Sequence, residues 1–186
     1  MAIITNWYTV DNKLGANLNQ PQTISTTTNP DYPAANFALG DRCQGNNGSE
    51  WVFVQASATV TANSLVAISN SFKAVCLTSA LIASQLYSYG VAEFQASAAA
   101  TSDYFWALLK ANGGVAVNAV ASTSTGSFVF IAGTAGMITS SVTSDALMNI
   151  VPVSATITTS ASGPMECVIR SYIQPALNML VAGATA

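Results

Sequence analysis

The chain has 186 residues, of which only 13 are charged, 51% are hydrophobic and none is histidine. Because about a quarter of the residues are charged in an ordinary soluble chain, a folded surface of roughly 8,400 Å² must here be covered mainly by uncharged side chains. The net charge is −3 and the five cations are spread singly along the sequence, which argues against the clustered positive charge that nucleic-acid binding needs. Large uncharged areas usually mark contact surfaces, so the composition indicates a protein that assembles with other chains.

No segment of the sequence resembles a membrane span or a signal peptide. The most apolar stretch, residues 74–94, is interrupted by serine, glutamine and glutamate, so it lacks the roughly 20 consecutive apolar residues of a spanning helix. Residues 1–4 are too few for the apolar region of a signal peptide. We therefore expect no membrane partner and synthesis in a cytoplasm.

Residues 1–36 differ in composition from the rest and are predicted to form an extended N-terminal arm. They are rich in asparagine and threonine and contain three prolines, which favour extended backbone. Trp7, Tyr8 and Tyr32 lie in this arm, and Phe37 stands at its end. Disordered segments are usually poor in aromatic residues, so we expect the arm to be ordered by docking on its own domain, on a neighbouring subunit or on a larger partner.

Residues 37–186 are predicted to form one β-rich domain, because short apolar runs alternate with turn residues. The run 51–55 is aromatic and β-branched and follows an Asn-Gly turn within 45–48, which is typical of a hairpin. A second pair of strands is predicted at 58–61 and 65–69. The remaining predicted strands are 104–110, 115–122, 127–132, 150–157 and 166–173.

The fold class predicted from these runs is all-β, a small β-sandwich or β-barrel with at most one or two short helices. The strongest hairpin signal is Asn112-Gly113-Gly114, between the runs 104–110 and 115–122. The best helical candidate is 79–87, only about two turns long, whereas the alanine-rich segment 93–101 fits a loop equally well. We expect most aromatic residues of the strands to fill the interior: Trp51, Phe53, Tyr104, Phe105, Trp106, Phe128 and Phe130.

The sequence offers few means of catalysis or metal binding, and we expect no enzyme activity, cofactor or metal. Without histidine, Ser-His-Asp and Cys-His arrangements are impossible. A hydrolase with paired carboxylates remains open, using Glu50, Glu93, Asp103 or Glu166. Cys43, Cys76 and Cys167 have no metal-ligand spacing; they are interpreted as buried thiols, with one disulfide and a spare thiol as the alternative.

Several short motifs resemble the small capsid decoration (cement) proteins of tailed bacteriophages. The first is Leu39-Gly40-Asp41-Arg42 followed by Gly48 and the strand 49–56, since that family commonly shows a Leu-Gly-x-Arg step, a glycine and an aromatic strand. The similarity continues through 89–95, 103–108, 113–115 and 133–138. It covers roughly residues 39–155, whereas the long arm and the tail after Pro175 depart from it.

The resemblance implies a β-rich domain on the outer surface of an icosahedral virion, where it stabilises the capsid by bridging capsomers. Its partners would be the major capsid protein and further copies of itself, as a homotrimer. Since aromatic residues dominate interface hot spots, the candidate capsid or inter-subunit contacts are Trp7, Tyr8, Tyr32 and Phe37. The principal alternative is a receptor- or glycan-binding module of a head fibre or surface protein; a small hydrolase or a shell-forming subunit is a further possibility.

Overall fold

The computed structural model describes residues 3–11, 16–25, 37–84, 87–97, 101–126, 129–141, 146–153 and 162–175. Strands account for 53% of them, which confirms the all-β prediction. Within these ranges the strands and the helix are, in chain order, β1 (Gln22–Ser25), β2 (Arg42–Gly45), β3 (Ser49–Ala56), β4 (Ser64–Ile68), β5 (Lys73–Cys76), α1 (Ser79–Ser84), β6 (Ser88–Ala92), β7 (Thr101–Ala119), β8 (Val129–Ile131), β9 (Ile138–Thr139), β10 (Ala146–Pro152) and β11 (Gly163–Pro175).

The strands form two closed rings of hydrogen-bonded neighbours that share β7. The first ring runs β7-β6-β4-β5-β3 and returns to β7, and the second runs β7-β9-β8-β10-β11 and returns to β7. All pairings between these strands are antiparallel except β3 with β5 and β7 with β9. Closing a sheet on itself removes exposed strand edges, and here one long strand serves both closures.

Strand β7 contradicts the predicted hairpin at Asn112-Gly113-Gly114, because the chain continues through these residues as one 19-residue strand. Residues 104–110 pair with β3 and residues 111–119 pair with β11. Gly113 and Gly114 have φ angles of 138° and 75°, a conformation that glycine adopts without a Cβ penalty. The glycines therefore mark the place where the strand leaves one ring for the other, a use of glycine known from barrel corners.

The other predicted elements agree with the structure to varying degrees. The hairpin of β2 and β3 turns at 46–48 as expected, and the short helix is present and described over Ser79–Ser84. The predicted pairing of 58–61 with 65–69 is wrong, since Val60 instead bridges Ala96 and β4 pairs with β5 and β6. Local propensity predicts a strand near 64–68, but contacts between distant segments determine which strands pair with it.

Two apolar clusters form the core. The smaller one receives side chains from all five strands of the first ring, for example Val54, Val66, Ala74, Ala92 and Phe105, so it fills that ring. The larger cluster joins the opposite face of the same strands to the strands of the second ring. Both faces of β3 and β7 are consequently buried.

The aromatic residues described by the structure contribute mainly to this core. Trp51, Phe53, Phe105 and Trp106 are at most 4% exposed, as predicted, while Tyr104 and Phe130 are half-buried and Phe128 lies outside the described residues. Cys43, Cys76 and Cys167 are free thiols, and only Cys76 is partly exposed. Among the described residues, no helix is both long enough and apolar enough to cross a membrane.

Candidate functional site

The segment 3–11, which belongs to the predicted arm, lies against its own domain. The amide of Ile4 donates to the Gly114 carbonyl at 2.7 Å, and the amide of Val10 donates to the Gln44 carbonyl at 2.9 Å. Thr9 forms a β-bridge with Gly45. Farther along the arm, β1 pairs with the start of β7. Both of these stretches of the arm therefore form β-pairings with strands of the same chain.

Trp7 is a core residue of this chain, and the half-buried Phe37 packs against the core. The Trp7 ring is 1% exposed and meets Trp51 edge to face, with ring centroids 5.2 Å apart. The Asn19 side chain fixes the Trp7 backbone by accepting from its amide at 2.8 Å and donating to its carbonyl at 2.6 Å. Phe37 contacts Phe53 and Trp106. The rings of these two candidate contact residues therefore pack within the domain.

Tyr8 is different, because its side chain is 59% exposed. Its backbone is held on both sides: its carbonyl accepts from the Asn46 amide at 2.9 Å, and its amide donates to the Asn46 Oδ1 atom at 3.2 Å. Ile3 and Val10 of the same segment are 38% and 60% exposed. We call Ile3, Tyr8 and Val10 the outer row. The fourth candidate, Tyr32, lies outside the described residues.

A cluster of charged and aromatic side chains joins the two rings on the surface. Glu50 of β3 accepts from the Arg42 guanidinium at 2.8 Å and from the Tyr172 hydroxyl at 2.7 Å through the same carboxylate oxygen. Its other oxygen lies 3.1 Å from the Lys110 ammonium. Arg42 and Lys110 also lie 5.7 and 5.6 Å from the centroid of the Tyr172 ring, within the range of cation–π attraction.

The electrostatics of this cluster keep Glu50 ionised. Burial acts to raise the pKa of the Glu50 carboxyl, but the hydrogen bonds from Tyr172, Lys110 and Arg42 outweigh it and lower the pKa below its usual value. The hydrogen bond between Lys110 and Glu50 is also the main cause that raises the pKa of Lys110. With two cations and one carboxylate, the cluster carries a single net positive charge at neutral pH.

A cleft of about 480 Å³ opens beside this cluster. Val52, Ile68 and Leu109 line it, and all three belong to the apolar cluster inside the first ring. The cleft is therefore the mouth of that ring, and the mouths of β-barrels are common ligand sites. Its lining consists of Arg42, Val52, Ile68, Ser69, Asn70, Phe72, Tyr87, Ser88, Tyr89, Leu109, Tyr172, Ile173, Gln174 and Pro175.

The cleft lining provides aromatic rings and neutral hydrogen-bonding groups. Tyr89 is 4% exposed, and its hydroxyl oxygen is buried without a hydrogen-bond partner among the described residues. Burial raises the pKa of Tyr89, so its phenol stays protonated and able to donate at neutral pH. The site can hold a ligand by stacking and hydrogen bonding, while Arg42, the one charged residue of its described lining, is already engaged by Glu50.

The carboxylates considered for a hydrolase have different surroundings. Glu50 belongs to the surface cluster, and Asp103 accepts from the Ser97 amide at 2.6 Å. Glu93 is buried, and burial raises its pKa to about 8, against the lesser, opposing effect of the nearby Trp7 indole. No group of three or more Cys, Asp or Glu side chains suited to a metal ion occurs in the part of the chain that the structure describes.

The sequence did not reveal the cleft, because its residues come from six separate parts of the chain. Arg42 was noted within the Leu-Gly-x-Arg step, and Tyr172 lies in the predicted strand 166–173, where it is 39% exposed. Nothing in the spacing of residues 42, 70, 89 and 172 predicts that they meet. Comparison of the chain with protein-family models, curated proteins and solved structures gave no match in any of the three.

Proposed function

We propose that this chain is a structural protein of a virion, a decoration protein that attaches to the outer surface of an icosahedral phage capsid and bridges its capsomers. Its partners are the major capsid protein and two further copies of the chain, and it has no catalytic role. The observation that carries the proposal is the outer row, three apolar side chains exposed on a segment whose backbone is fixed to the domain.

The fixed backbone makes the outer row suited to binding. Side chains on a flexible arm must be ordered when a partner docks, at a cost in free energy. Here the hydrogen bonds of Ile4, Tyr8 and Val10 to the domain have already ordered the segment. Tyr8 is thereby presented as a rigid aromatic anchor, the kind of residue that dominates interface hot spots.

The surface is even poorer in charge than the sequence indicates. Glu93, Asp103 and Glu166 are buried, at 8%, 6% and 2% exposure, so at most ten of the 13 charged residues remain for a surface of 9444 Å². This is about one charge per 900 Å², and extended uncharged surface favours contact with neighbouring molecules. Such contacts are little affected by salt, because screening acts on charges.

Co-sedimentation with empty heads, assembled from the major capsid protein of the same genome, tests the proposal. We expect the wild-type chain to pellet with the heads, to saturate them and to retain its binding at high salt. Tyr8→Ala and Val10→Ser should each lower the occupancy at least tenfold. Val153→Ser is the matched control, since Val153 is 40% exposed but lies outside the arm.

The oligomeric state gives an independent test. Light scattering should give a mass of about 57 kDa for a trimer of 19.1 kDa chains, and cryo-electron microscopy should show added density outside the shell at three-fold positions. A chain that stays monomeric and never pellets with heads at micromolar concentration contradicts the proposal. Equal binding by Tyr8→Ala and wild type would show that attachment uses another surface.

A further inference from the structure

We propose that the mouth of the first ring is a binding site for a short neutral saccharide. The site is the 480 Å³ cleft, whose size falls within the range of small-molecule pockets. The inference does not depend on attachment to a capsid, since the cleft and the outer row share no residue.

The chemistry of the lining selects the class of ligand. A saccharide ring presents C–H groups that stack on aromatic side chains and hydroxyl groups that both donate and accept hydrogen bonds. Phe72, Tyr87 and Tyr172 supply partly exposed rings. The same combination of aromatic faces and polar groups at fixed positions is what small-molecule sites use to orient a ligand.

Two residues that are distant in the sequence supply hydrogen-bonding groups to the cleft. Asn70, in the turn between β4 and β5, and Gln174, near the end of β11, are exposed, and neither side chain is engaged by another described residue. Each amide supplies two N–H donors and one carbonyl acceptor, which matches the hydroxyl groups of a saccharide.

The Tyr89 hydroxyl is a buried polar group next to the cleft that the described residues leave unsatisfied. A buried polar group without a partner costs about 1–3 kcal/mol, and most such groups in folded proteins are satisfied by protein, water or ligand. The Tyr89 hydroxyl has no partner among the described residues, and Tyr89 lines the cleft.

The cation of the described lining is already engaged, which favours a neutral ligand over an anionic one. Arg42 is the one charged residue among the described lining, and its Nη1 atom is shared between Glu50 and the Tyr172 hydroxyl. An anionic ligand would have to share this guanidinium with Glu50. A neutral saccharide requires no such sharing.

An array of neutral di- to tetrasaccharides of glucose, galactose, mannose and N-acetylglucosamine tests the inference with the purified full chain. A matched set carries uronic acid or sulfate groups. We expect retention of at least one neutral saccharide, with affinity unchanged between low and high salt. Retention of none, or of the anionic set alone with loss at high salt, would overturn the inference.

Variants then locate the binding. The double variant Asn70→Ala/Gln174→Ala should weaken binding of the retained saccharide at least tenfold in calorimetry. Gln95→Ala, at an exposed loop residue outside the cleft, should bind like the wild type and serves as the matched control. Equal affinity of the double variant and the wild type would place the saccharide elsewhere and contradict the proposed site.

Two further measurements on the double variant distinguish loss of the saccharide site from loss of the fold or of capsid attachment. Its melting temperature should match that of the wild type, because both side chains are exposed and make no hydrogen bond to the described residues. Its pelleting with capsids should also be unchanged, since the outer row is intact. Saccharide binding and capsid attachment can therefore succeed or fail separately.

Discussion

The Tyr172 hydroxyl donates a 2.7 Å hydrogen bond to the Glu50 carboxylate, although the two residues are 122 positions apart in the sequence. Glu50 belongs to the first ring and Tyr172 to the second, so this contact joins the two closures on the surface. Arg42 and Lys110 bind the same carboxylate. The cluster thus orders the Tyr172 side chain at the edge of the cleft.

Removing the Tyr172 hydroxyl should destabilise the fold modestly. We expect Tyr172→Phe to lower the free energy of unfolding by about 1–2 kcal/mol, because a hydrogen bond to a charged group is lost. Glu50→Gln should cost a similar amount, since it leaves Arg42 and Lys110 without their counter-charge. In a double-mutant cycle measured by urea unfolding, the two effects should be non-additive; strict additivity would show that the contact contributes nothing.

Glu93 should make the protein less stable as the pH rises. Its pKa is about 8 in the fold, against 4.5 when unfolded, so the folded state retains a proton that the unfolded state has lost between these values. Stability from this group is therefore complete below pH 4.5, decreases by roughly 1.4 kcal/mol per pH unit up to about pH 8, and is level above that.

Glu93→Gln tests this dependence, because glutamine is nearly the same size and stays neutral. We expect the variant to be more stable than the wild type at pH 8, and the difference to shrink towards pH 4.5. Urea unfolding at a series of pH values measures it. Equal slopes of stability against pH in the two proteins would mean that Glu93 titrates normally in the fold.

The passage of β7 from one ring to the other depends on its two glycines. Alanine at Gly113 or Gly114 must adopt a positive φ, so each substitution should lower the melting temperature, with a cost of about 1–2 kcal/mol. Gly133→Ala is the matched control, because Gly133 has no positive φ and a Cβ atom there would meet nothing within 4 Å. If all three variants melt alike, the backbone at 113–114 is not constrained as described.

The three thiols should differ in reactivity. Burial, with a smaller contribution from the Glu166 charge, raises the pKa of Cys167 to about 12, and Cys43 is 2% exposed. We expect Cys76 alone to react with a thiol reagent in the native protein at pH 8, and all three after denaturation, because the thiolate is the reactive form. Cys76→Ser should abolish the native reaction; a remaining rapid reaction would show that Cys43 or Cys167 is accessible.

Substitution of Trp7 should destabilise the fold far more than substitution of its neighbour Tyr8. Trp7→Ala removes a ring buried against Trp51 and should cost about 3–5 kcal/mol of stability. Tyr8→Ala removes an exposed ring and should change stability little. Thermal unfolding measures both; a large loss in Tyr8→Ala would mean that its ring stabilises the domain instead of remaining available to a partner.

The sequence predicted the elements whose signals are local. The aromatic and β-branched run at 51–55 is a strand by its own propensity, and the Asn-Gly step at 47–48 turns the chain as such a step usually does. The run 166–173 was likewise predicted as a strand, and it lies within β11. The contact roles of Trp7, Tyr8, Tyr32 and Phe37, the trimer and the capsid remain predictions.

By itself the sequence determined that the chain is all-β, poor in charge and rich in buried aromatic residues, since composition and two-residue alternation are properties of short windows. A positive φ suits both a hairpin turn and a bend within a strand. Only the tertiary structure therefore decided that strand β7 continues through Gly113-Gly114 from one ring into the other and does not reverse there. It also brought Arg42, Tyr89 and Tyr172 to one cleft. Which strands pair depends on contacts between distant segments, and no local pattern encodes those contacts.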